Sequence, residues 1–182
     1  MLSVAMYSVE PILTVYVKEI SQTSSHVALL AGIIFSASGL ANILAAPRLG
    51  KLSDRIGAHK VMLTALLAAG ILFIPQAFAR SPWELMGLRF LLGLAAGGLN
   101  PSVNTLIKKI TPGPLTGRVY GFSMAAGYLG VFAGSVLGGQ VAAWLGIPYV
   151  FLMTSALLLI NAAWVYAKVY KKLREPSHSA IL

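Results

Sequence analysis

Gly50-Lys51-Leu52-Ser53-Asp54-Arg55-Ile56-Gly57-Ala58-His59-Lys60 is the stretch whose reading decides the fold. It is charged, punctuated by glycine, and set between two apolar runs, Val27–Ala46 and Val61–Phe78. Each run is about 18–20 residues, roughly the thickness of a bilayer's hydrocarbon core at 1.5 Å per residue. A soluble domain has little use for such a turn between two runs so apolar. In a membrane protein the turn sits in water and the runs sit in lipid. Gly50 and Gly57 are expected to permit a tight turn. Asp54 is expected to accept hydrogen bonds from the free N–H groups that open the following helix.

Composition leads the same way. Hydrophobic residues make up 57% of the chain and charged residues 10%, against about 25% charge in a soluble domain. Mean hydropathy is +0.79. So little polar cover cannot form a soluble surface. Without cysteine there is no disulfide framework and no thiolate metal site. His26, His59 and His178 lie in or beside loops, far apart in sequence, so no metal ligation is expected. No Ser/His/Asp set or phosphate loop suggests an enzyme, and no cofactor is expected.

Taken in order, the apolar runs predict six membrane spans. The first, Met1–Val17, holds Glu10-Pro11 in its middle and reads as a helix whose beginning is missing, not as a signal peptide. A polar connector, Lys18–His26, leads to the second span, Val27–Ala46, which is expected to end at Pro47. The third, Val61–Phe78, contains Pro75, expected to kink or shorten it. Trp83 stands at the interface before the fourth span, Glu84–Val103. The breaker cluster Thr111-Pro112-Gly113-Pro114 precedes the fifth, Arg118–Ala142, and the sixth is Tyr149–Lys168. Residues 169–182 form a basic tail, and residues 1–182 are a single bundle.

The net charge of +9 is distributed unevenly. Arg48, Lys51, Arg55, Lys60, Lys108, Lys109, Arg118, Lys168, Lys171, Lys172 and Arg174 fall on one side of the predicted topology. Lys18 and Arg80 fall on the other, and Arg89 lies inside a span. By the positive-inside rule the basic side, with both termini, is cytoplasmic. The excess charge then orients the chain and contacts anionic lipid; no nucleic-acid partner is implied.

Several motifs carry a family resemblance over almost the whole chain. Gly50-x-Leu52-x-Asp54-Arg55-x-Gly57-x-x-Lys60 resembles the signature loop of the major facilitator superfamily, found between the second and third helices of a six-helix half. Arg89-x-x-x-Gly93-x-x-x-Gly97 puts an arginine and two glycines on one helical stripe and resembles the fourth-helix motif of drug/proton antiporters. Gly130-x-x-x-Gly134-Ser135-x-x-Gly138-Gly139 resembles their fifth-helix motif, with Ser135 where that motif has proline. Such small-residue tracks let helices approach closely in lipid. Together with Glu10–Glu19 and the short tail, these stretches resemble the carboxyl-terminal half of a bacterial multidrug efflux protein.

The resemblance implies an all-α membrane protein of the bacterial inner membrane. It would be half of a twelve-helix transporter, exporting small lipophilic compounds by alternating access driven by protons. The expected partners are membrane lipid, a small-molecule substrate, protons, and an amino-terminal six-helix half or a second copy. Transport of another solute, such as a sugar or metabolite, and a truncated protein without transport of its own are the alternatives. Asp54 is expected also to help latch the two halves, whereas Arg55 and Lys60 read as loop charges.

Glu10 and Arg89 are the charges within spans, and a charge at mid-membrane costs roughly 2.5–3.5 kcal/mol on insertion scales unless it faces a cavity or a partner. Glu10 reads as a protonatable or cavity-lining carboxylate, or as a helix-end charge. Arg89 either lines a cavity or snorkels to the outer interface. Asn42, Gln76, Asn100, Asn104, Gln140 and Asn161 suit interhelical hydrogen bonds or a cavity wall. Tyr7, Phe35, Met124, Tyr128 and Phe132 suit a pliable wall or plain packing.

Overall fold

A computed structural model describes residues 1–21 and 26–167; the expected basic tail, 169–182, lies outside them. The described chain is helical throughout, with helices α1 (Leu2–Tyr7), α2 (Glu10–Ile20), α3 (Val27–Ile56), α4 (Ala58–Gln76), α5 (Pro82–Ala96), α6 (Leu99–Ile110), α7 (Thr116–Leu145) and α8 (Ile147–Val165). Five segments are long and apolar enough to cross a membrane: Val27–Ile56, Ala58–Gln76, Pro82–Lys109, Gly113–Leu145 and Ile147–Val165. They correspond to five of the six expected spans. The first expected span is instead two short helices, α1 and α2, separated at Ser8 and Val9.

Proline explains that interruption. Pro11 has no N–H to give the Tyr7 carbonyl four residues earlier, and its ring crowds that carbonyl. The Ser135 hydroxyl, from α7, donates to the Tyr7 carbonyl in its place at 3.5 Å. The fourth expected span breaks by the same rule. Pro101 leaves the Gly97 carbonyl without its helical donor, α5 ends at Ala96, and α6 starts afresh at Leu99.

The stretch 50–60 differs most from expectation. Helix α3 does not end at Pro47 but runs on through Ile56, so Gly50, Leu52, Asp54 and Arg55 are helical, not looped. Pro47 is exposed, which keeps its ring out of neighbouring packing. Thirty residues make a helix about 45 Å long, so its last turns extend beyond the hydrocarbon. The real stop is Gly57, at φ 102°, where a Cβ would also meet the His59 ring. Asp54 therefore sits one turn before the break, and α4 begins at Gly57 with no side-chain cap. Gly146, at φ 101°, makes the equivalent turn between α7 and α8. Helix α5 does have a capped start: the Ser81 hydroxyl accepts from the Trp83 N–H at 3.3 Å, and Glu84 accepts from the Arg80 N–H at 3.1 Å.

Three helix pairs make the largest contacts: α3 with α5, α4 with α8, and α1 with α7. Glycine sets two of them. Gly93 lies against the Ser38 carbonyl and Ala41, and Gly97 against Ala45 and Asn42, which brings α5 onto α3. Gly130 meets Ser3, Gly134 meets Val4, and Gly138 meets the Ser8 carbonyl, which seats α1 on α7. Gly139, expected among the packing glycines, faces open space. One residue further along, it has turned 100° away from α1.

Buried hydroxyls then pin the bundle. Ser8 and Thr154 share a hydrogen bond of 2.7 Å between α1 and α8, and Ser155 donates to the Gly70 carbonyl at 2.7 Å between α8 and α4. Tyr16 donates to the carbonyls of Gln76 and Ala79, at 2.8 and 3.1 Å, where α4 ends just after Pro75. The apolar core around them includes Leu66, Phe73, Leu85, Phe151 and Leu158.

Candidate functional site

The two proline breaks point at one place. A cavity of about 250 Å³ lies between α1–α2 on one side and α3 with α5–α6 on the other. The residue before each proline, Glu10 and Asn100, lines it, so the breaks deliver one carboxylate and one carboxamide to the same space. Arg89 from α5 and Asn42 and Ser38 from α3 add further polar surface. Tyr7, Phe35 and Phe73 supply aromatic walls. Discontinuous helices meeting at a polar cavity are how membrane transporters expose backbone and side-chain dipoles to a solute without exposing them to lipid.

Glu10 and Arg89 thus share a single cavity and are its only charged lining residues among those described. Arg89 does not reach an interface. It is 5% exposed, its Nε and Nη2 atoms are buried without a hydrogen-bond partner, and its Cζ lies 6.0 Å from the Phe151 ring centroid. Glu10 is exposed on the cavity side, at the first turn of α2. An unscreened charge pair across a small cavity can bind a polar solute or exchange a proton.

The remaining expected positions distribute differently. Of the polar set, Asn42 and Asn100 are at the cavity, while Gln76 is buried and donates from Nε2 to the Leu72 carbonyl. The Asn104 carbonyl accepts from the Tyr120 hydroxyl at 2.9 Å, joining α6 to α7. Of the aromatic set, Tyr7 and Phe35 line the cavity; Met124, Tyr128 and Phe132 are exposed along α7 instead. Asp54, Arg55 and Lys60 are exposed at the far end of α3 and the start of α4. Sequence reasoning missed Ser38 and Phe73 at the cavity. It also missed the Gly97-Gly98 break, although Pro101 was its signal.

Five membrane-length helices among the described residues define an integral membrane protein. The chain belongs to the Major Facilitator Superfamily, which its residues 1–181 match, and is therefore of a transporter family. Relatives named Multidrug resistance protein MdtG, from Citrobacter koseri and Salmonella arizonae, are 39% and 38% identical over 171 residues. The alignment covers 94% of this chain and 42% of each relative. The chain thus spans about two-fifths of their length.

Proposed function

We propose that this chain is the carboxyl-terminal half of a twelve-helix exporter of small lipophilic compounds, working by alternating access and driven by protons. The observation that carries the reading is the cavity where Glu10, Arg89 and Asn100 converge at two broken spans. Its mixed aromatic and polar wall suits solutes that are apolar with one polar group. The names and length of the relatives support drug export by a larger assembly. An amino-terminal six-helix half would close the cavity from the open side, and the exposed faces of α3 and α7 are available to receive it.

In this arrangement the end of α3 and the start of α4 lie on the cytoplasmic side of a bacterial inner membrane. Arg48, Lys51, Arg55, Lys60, Lys108, Lys109 and Arg118 gather there and meet anionic headgroups. Asp54 latches the two halves on that side. Gly50, Leu52 and Gly57 shape the segment that carries it. Glu10 takes and releases the coupling proton or attracts the solute, and no cofactor takes part.

The test is export of a lipophilic dye from energised, dye-loaded cells. This chain would be expressed alone and together with the amino-terminal six helices of a relative. Extrusion that requires both halves and stops when the pH gradient is collapsed is expected. Dye retention with both halves present, alongside uptake of a sugar or metabolite, would overturn the drug-export reading.

A further inference from the structure

Arg89 is a buried cation short of the hydrogen bonds that buried cations ordinarily have. Charge taken out of water is stabilised by a counter-ion or by hydrogen bonds. Here Nε and Nη2 have no hydrogen-bond partner, and the carboxylate on the same cavity, Glu10, is exposed on its other side. What lies beside the guanidinium is an aromatic cluster assembled from three other helices. Phe151 of α8, fully buried, has its ring centroid 6.0 Å from Arg89 Cζ. Tyr16 of α2 packs on Phe151 at 5.0 Å between centroids, tilted by 50°, and Phe73 of α4 at 6.4 Å, tilted by 42°. Tyr16 is itself fixed by its two hydrogen bonds to the end of α4. Phe73 reaches the cavity, whereas Phe151 and Tyr16 stand behind it.

We infer that Phe151 is a positioning residue, its ring holding the Arg89 guanidinium in the cavity wall by a cation–π contact where a counter-ion would otherwise stand. The negative face of the ring attracts the cation without cancelling its charge. A carboxylate in the same place would neutralise Arg89 and leave the cavity only the charge of Glu10. The aromatic support instead keeps a full positive charge at the wall, opposite Glu10, for the polar group of a solute. This inference builds on the assignment of the cavity as the transport site, but its test does not depend on it.

The direct probe is modification of arginine by phenylglyoxal in the purified chain, read residue by residue by mass spectrometry. Phe151→Leu keeps apolar bulk and removes the ring. Arg89 in that variant should react about fivefold or more faster, the strength of a well-made exposed cation–π contact and so a lower bound for a buried one, while exposed Arg55 reacts at an unchanged rate. Phe151→Trp and Phe151→Tyr should retain the slow rate of the parent. Should the leucine variant not fold, Phe151→Met, similar in bulk but without a π face, serves the same comparison. An unchanged Arg89 rate in the leucine or methionine variant would overturn the inference, as would equal acceleration in all four.

Export supplies the second readout. Phe151→Leu should lower it, and adding Phe151→Leu to Arg89→Gln should lower it no further. Normal export by Arg89→Gln would remove Arg89 from transport and so count against the cavity assignment, while the phenylglyoxal rates would still decide how Arg89 is held.

Discussion

Gly138 and Gly139 are neighbours on α7, yet alanine should have opposite effects at the two positions. At Gly138 a Cβ would run into the Ser8 carbonyl. That obstacle is backbone and cannot swing aside as a side chain would. Ser8 is also held by its 2.7 Å hydrogen bond to Thr154, so displacing it strains the α1–α8 contact as well. Overpacking of this kind costs about 1–3 kcal/mol, and loss of an interhelical hydrogen bond in a membrane protein adds about 0.6 kcal/mol. Replacing an interior helical glycine returns about 1 kcal/mol through backbone entropy. Gly138→Ala should therefore destabilise the chain by about 0.6–2.6 kcal/mol. At Gly139 only the entropy gain operates, because nothing lies nearby, and alanine should stabilise by up to ~1 kcal/mol. Unfolding of the detergent-solubilised chain by titration with SDS, followed by helical circular dichroism, measures both. A Gly138→Ala chain as stable as the parent, or equal damage at both positions, would refute the seating of α1 on α7.

Three further outcomes are expected. Tyr16→Phe removes the hydroxyl's bonds to the Gln76 and Ala79 carbonyls, leaving Gln76 only its 3.4 Å bond from the Ala79 N–H, and should cost about 1–3 kcal/mol in the same titration; an unchanged midpoint would contradict the role given to the hydroxyl. Asp54→Asn, in the assembled transporter, should impair export while membrane insertion, checked by fractionation, stays intact. Export at the parental rate would exclude the proposed latch. Glu10→Gln should flatten the dependence of export on external pH; a parental pH profile would remove Glu10 from coupling.

What the sequence made legible was set by near neighbours along the chain. Apolar length located the five membrane-length segments, although the first of them runs ten residues past its expected end at Ala46, and Pro75 marked the end of α4 to within one residue. Proline was a weaker guide elsewhere because exposure does not decide its effect: Pro11 and Pro47 are both exposed. Pro47 lies within a 30-residue helix that continues past it, whereas Pro11 and Pro101 each follow a break one turn earlier. The helical course of residues 50–56 was hidden for a related reason. Their charge and glycine content suit a loop, but a helix that has left the lipid can carry charges freely, and only the positive φ of Gly57 stops it.

The site was legible as residue types and not as an arrangement. Glu10 and Arg89 stood out as charges inside apolar runs, but their meeting in one cavity depends on how α1–α2 lies against α5. The aromatic support for Arg89 joins residues 16, 73, 89 and 151, whose spacing in sequence carries no local signal. Ser135, noted only as a departure from a family motif, donates to the carbonyl that Pro11 leaves free. Met124, Tyr128 and Phe132 share a helical stripe with i, i+4 spacing, and that periodicity alone does not tell a cavity face from any other exposed one.

The most direct measurement uses the absence of native cysteine. Single cysteines would replace Ser38 and Asn100 in the cavity, with Arg80, exposed in the turn before α5, as the control. A small charged methanethiosulfonate reagent would then be applied to the assembled transporter with and without an exported dye. Modification at 38 and 100 that the dye slows, with no protection at 80, is the predicted result. Labelling at 38 and 100 that proceeds at the same rate with saturating dye would contradict the assignment of this cavity as the path of the solute.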